Sequence, residues 1–92
     1  MNSQELSRRN VATMPVCVHG RHELAFVHVA IKGDAVEQTF EVNNETVFQS
    51  KVPLPGPPTQ DALDRMIRGV RLFARLAKEK GHCIDLEADN AS

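Results

Sequence analysis

The side chains best suited to chemistry are two cysteines and four histidines: Cys17, Cys83, His19, His22, His28 and His82. Thiolate and imidazole both bind zinc, and a structural zinc site takes four such ligands. Cys17, His19 and His22 make a C-x-H-x-x-H run. His82 or Cys83 would complete the set if the end of the chain lies beside its start. This spacing is not a familiar zinc signature, and two histidines at a hairpin end explain it as well. A zinc-binding protein is therefore an alternative reading; the leading reading needs no cofactor.

His28 lies within a β-forming run, with Glu37 and Glu41 on the next run. An imidazole beside carboxylates has the parts of a general base. No nucleophile accompanies it. The chain also lacks G-x-S-x-G, P-loop, H-E-x-x-H and G-x-G-x-x-G motifs. It reads as a non-enzyme.

The elements that must position these groups are marked by turns. Gly20-Arg21 and Gly33-Asp34 fit a type II′ hairpin, and Asn43-Asn44 fits type I′. The runs between them, 15–19, 22–32, 35–42 and 45–52, are rich in Val, Ile, Phe and Thr, as strands are. A loop at 20–21 pairs His19 with His22 and Cys17 with Leu24. Loops at 33–34 and 43–44 pair Val27 with Phe40, Phe40 with Val47, and Thr39 with Phe48. One sheet face then gathers Val16, Val18, Ala25, Val27, Val29, Ile31, Val36, Phe40, Val42 and Val47. The opposite face gathers Cys17, His19, His22, Leu24, Phe26, His28, Glu37, Thr39, Glu41, Thr46, Phe48 and Ser50.

Four prolines in residues 51–58 end the pairing and form a stiff connector. A helix follows. Thr59 is its N-cap, Asp61 and Asp64 suit its positive end, and Gly81 stops it after Lys78 and Lys80. Leu63, Met66, Ile67, Val70, Ala74 and Ala77 form the stripe that covers the apolar sheet face, with Phe73 at its edge. Residues 82–87 read as a short edge strand, antiparallel beside the first strand or parallel beside the fourth. The fold class is α+β: a four-stranded antiparallel β-meander, one helix on one face, and a short C-terminal edge strand (ββββαβ). Residues 11–87 make one domain, with flexible segments at 1–10 and 88–92.

With 92 residues the chain has room for one core. Eleven basic and twelve acidic side chains leave a net charge of −1, which supplies no general drive toward nucleic acid or an anionic membrane. Arg68, Arg71 and Arg75 on the helix are the nucleic-acid candidates. The i,i+4 pairs Asp61–Arg65, Asp64–Arg68 and Arg75–Glu79 neutralise much of that stripe. No segment approaches the length of an apolar bilayer span, and the two cysteines are too few for a disulfide-built secreted domain, so the expected location is cytoplasmic.

Leu24, Phe26 and Phe48, beside His28, leave the open sheet face too apolar for solvent. Leu72 and Leu76 do the same on the wet side of the helix. These six residues form the expected interaction surface. The expectation is an accessory or regulatory protein-interaction module, a homodimer or bound to another protein, using the open sheet face.

Overall fold

A computed structural model describes residues 6–86. Five strands form one sheet: β1 (Leu6–Val18), β2 (Arg21–Lys32), β3 (Ala35–Val42), β4 (Glu45–Pro53) and β5 (Ile84–Asp85). Helix α1 (Gln60–Lys80) lies between β4 and β5 in the chain. The order across the sheet is β4-β3-β2-β1-β5. This is the expected α+β architecture. β1 begins at Leu6, so residues 6–10 belong to the sheet and not to a flexible end. Residues 1–5 and 87–92 lie outside the described residues.

The turns decide the pairing. At Gly33-Asp34 the expected register holds, with Lys32 opposite Ala35 and Val27 opposite Phe40. The first turn falls one residue early. His19 (φ 54°) and Gly20 (φ 72°) form the loop, so Cys17 faces His22 and Leu24 faces Pro15. A type I′ turn needs positive φ at both central residues, and His is among the few side chains that tolerate it. The pairing moves by two residues, so the strand side chains keep their expected faces, while His19 passes into the turn.

The third hairpin changes a face. Asn43 and Asn44 both take positive φ, and Val42 pairs with Glu45 as expected. Glu41 then opposes Thr46 while Phe40 opposes Phe48, which leaves Val47 as a bulge. One extra residue inverts everything beyond it. Phe48 and Ser50 turn to the helix side, and Gln49 and Lys51 turn to the open side. Phe48 packs edge-on against Phe40 with ring centroids 5.6 Å apart. It leaves the expected interaction surface.

A second bulge interrupts β1. Arg8 opposes Val29 and Ala12 opposes Val27, so residues 9–11 share the space opposite His28. Asn10 turns there with φ 56°. The last strand takes neither expected place. It lies beside β1 but parallel to it, with Val16 opposite Ile84 and Cys17 opposite Asp85. The Leu86 amide donates to the Cys17 carbonyl at 3.2 Å, and the Leu86 side chain joins the core.

Helix α1 forms where its caps and stripe require. The Thr59 hydroxyl accepts from the Ala62 amide at 3.1 Å, and Gly81 closes the helix at φ 68°. Leu63, Ile67, Val70, Ala74 and Ala77 are buried against Met14, Val16, Val27 and Val29. The β4 edge and the stretch of β1 that β5 leaves uncovered are blunted against pairing with another chain. The β4 edge carries the Val47 bulge, Lys51 and Pro53. On β1, the Arg71 Nε donates to the Val11 carbonyl at 2.8 Å, and Lys78 Nζ donates to Thr13 Oγ1 at 2.6 Å.

The bulge at Val47 predicts opposite outcomes for two phenylalanines. Phe48→Ala empties a site packed against the core and costs about 2–3 kcal/mol. Phe26→Ala, on the open face, costs about 0.5 kcal/mol or less. Urea denaturation of the two variants checks this; equal losses would return Phe48 to the open face.

Candidate functional site

Three places hold the candidate residues. The first is the open sheet face, where β1, β2, β3 and β4 line a polar basin of about 400 Å³. His28 sits at its floor, only 9% exposed. The β1 bulge frees the Asn10 amide from the strand ladder, and that amide donates to His28 Nδ1 at 2.9 Å. A ring nitrogen that accepts carries no proton, so the neutral ring is protonated on Nε2. Nε2 lies 3.1 Å from Glu41 Oε1. Its N–H is not aimed along a hydrogen bond, so the contact is electrostatic. Glu41 also meets Arg9 at 3.6 Å. Nδ1 thus accepts from Asn10 and Nε2 lies beside Glu41. The ring fastens the bulge.

The rest of this face is charged. Glu37 receives Lys32 at 3.4 Å, Lys51 at 4.0 Å and Gln49 Nε2 at 3.3 Å. Gln49 and Lys51 reach it because the Val47 bulge inverted β4. Leu24 and Phe26 remain exposed here, as expected. Without Phe48 and with His28 buried, they form a small apolar spot beside a network of charges.

The second place is the Cys/His group. Cys17 and His22 pair across the β1–β2 hairpin, and His19 occupies its turn. The parallel β5 brings Cys83 to Cys17, and the two thiols interact as free cysteines. His82 is exposed beyond the helix end. Among the described residues, no three His, Cys, Asp or Glu side chains are placed to hold one metal ion. Partial burial pushes the Cys83 thiol above its ordinary pKa, and the neighbouring Cys17 and Asp85 push it the same way.

The third place is the outer face of α1. Leu72, Phe73 and Leu76 are 50%, 55% and 42% exposed. Phe73 stands between two apolar grooves. One is lined by Met14, Phe40, Met66 and Val70. The other is lined by Leu76, Ala77, Cys83 and Ile84. Leu72 and Leu76 were readable from helical spacing. Phe73 was missed as a surface residue because its position borders the buried stripe. The basic candidates are divided: Arg71 is held by the Val11 carbonyl, while Arg68 and Arg75 face solvent. The expected i,i+4 ion pairs do not form, and Asp64 accepts instead from Gln60 at 3.2 Å. Among the described residues, no helix is long and apolar enough to cross a membrane.

Comparison with protein-family models, with curated proteins and with solved structures found no match.

Two measurements test the site chemistry. His28→Phe keeps a ring but removes the acceptor, and the orphaned Asn10 amide then costs about 1–3 kcal/mol. A lower urea midpoint at unchanged slope reports it; an unchanged midpoint would deny His28 its structural role. For Cys83, a raised pKa means less thiolate at mildly alkaline pH and slow alkylation. Asp85→Asn removes a negative charge, lowers that pKa and speeds the reaction. Mass mapping of the alkylated peptides reads both rates, and no acceleration would discount the charge effect.

Proposed function

We propose that this chain is a small non-enzymatic protein-interaction module, accessory or regulatory in role, that works as a homodimer through the outer face of α1. One observation carries the reading: Leu72, Phe73 and Leu76 form a contiguous exposed apolar patch on a chain this small. Scattered apolar side chains are normal on a surface, but a patch with grooves beside it marks a contact.

The other surfaces suit association less. The β4 edge and the uncovered stretch of β1 are blunted, and the open face is a charged basin around a buried histidine. The sheet-face dimer expected from sequence drew on Leu24, Phe26 and Phe48, of which Phe48 lies on the helix side. A second copy suits α1 because a two-fold interface must fit itself. Here a ridge, Phe73, and the grooves that would receive such a ridge occupy one surface. Burial of this patch also adds apolar stabilisation that a small core lacks.

The test is native mass spectrometry of untagged protein, which reports stoichiometry and bound metal together. The expected species is a metal-free dimer. Leu72→Glu with Leu76→Glu yields a folded monomer, whereas Leu24→Asp with Phe26→Asp stays dimeric. Loss of the dimer only in the second variant would move the contact to the sheet face. A monomeric wild type overturns the homodimer. One zinc per chain would establish the metal reading in its place.

A further inference from the structure

Resting on that homodimer, a further feature of α1 sets how the two copies meet. Gly69 lies in the middle of the helix, where glycine costs about 0.5–1 kcal/mol relative to alanine. Nothing within the chain requires it. A Cβ built at Gly69 would meet no atom within 4 Å, and the position is exposed. Gly69 falls on the contact surface: Gly69, Leu72, Phe73 and Leu76 stand at i, i+3, i+4 and i+7, a single line along the helix. The line pairs a gap with protrusions. A gap on a helix surface lets a second helix approach closely.

We infer that two copies pack α1 against α1 in antiparallel fashion, with Leu76 of each copy entering the gap at Gly69 of the other. The two-fold axis then passes between Leu72 and Phe73, which face each other across it. A parallel pairing would set gap against gap and Leu76 against Leu76.

Charge favours the same direction. The first half of α1 balances Asp61 and Asp64 against Arg65 and Arg68, whereas the second half sets Arg71, Arg75, Lys78 and Lys80 against Glu79 alone. Parallel pairing stacks two basic ends. Antiparallel pairing sets each basic end beside the acid-bearing end and opposes the helix dipoles. Arg65 and Lys80 then meet at one level, each beside an acid of its own helix, Asp61 and Glu79.

Gly69→Ala separates this role from a folding role. Alanine raises helix propensity, so in the monomeric Leu72→Glu, Leu76→Glu background it raises the melting temperature by a few degrees. In the otherwise wild-type chain the same change weakens dimerisation by about tenfold, because two methyl groups fill the contact. Sedimentation of wild type and variant reads the dimer constant. Direction is read by disulfide cross-linking in a Cys17→Ser, Cys83→Ser background. Arg65→Cys mixed with Lys80→Cys gives cross-linked dimer, while each alone gives little.

The failures are distinguishable. A wild type that stays monomeric at about 100 µM protomer overturns the homodimer itself, and with it this arrangement. If that monomer instead co-sediments with anionic lipid vesicles, the face belongs to a membrane surface and both readings fall. A wild-type dimer that tolerates Gly69→Ala, or that cross-links through Arg65→Cys alone, leaves the homodimer standing and overturns the antiparallel contact.

Discussion

One helix must cover the apolar face of a five-stranded sheet, and the rest of the molecule follows from that demand. Strands spaced about 4.8 Å apart make a sheet wider than the helix diameter of about 10 Å. A flat sheet would leave apolar strands bare on either side. The sheet is curled instead. Its two bulges, at residues 9–11 of β1 and at Val47 of β4, occur where bending and added twist are needed. The helix meets this surface with its smallest side chains toward the C-terminal end, Ala74 and Ala77, which allow close approach to β1. Phe48 and Leu54 close the far side.

The bulge in β1 has its own requirement. An extra stretch of backbone opposite one residue leaves an amide without a ladder partner, and a buried orphan amide is costly. His28 meets it with Nδ1. The ring's Nε2 lies beside Glu41, which in turn meets Arg9. A residue that resembles a catalytic base in the sequence thus belongs to the sheet's construction. The surrounding charges keep this face polar.

The legible and illegible parts of the sequence divide on physical grounds. Short-range features were readable. Asn43-Asn44 and Gly33-Asp34 mark their turns by backbone preference, Thr59 and Gly81 mark the helix ends, and Leu72 and Leu76 stand out from helical spacing. Features decided by distant pairing were not. Nothing in residues 45–50 signals that Val47 is an extra residue; that depends on how β3 and the helix settle, and it moved Phe48 to the core side. Residues 6–10 are mostly polar and look unstructured, yet Leu6, Ser7 and Arg8 pair along β2 and Arg9 and Asn10 fall in the bulge. The orientation of β5 rests on two residue pairs, too few to leave a pattern in the chain. Gly69 is visible in the sequence, but its lack of an internal purpose appears only once the surrounding space is known.

The placement of β5 has a consequence for how the molecule assembles. The meander is built from two-residue loops, so its hairpins close over short stretches of chain and at small entropic cost. The β1–β5 contact closes nearly the whole described chain and is held by two pairs and the Leu86 amide. Its cost falls only after α1 has docked and brought Gly81 beside β1. The parallel strand is therefore the closing step of folding, and by the same arithmetic the part of the native state that opens with the least free energy.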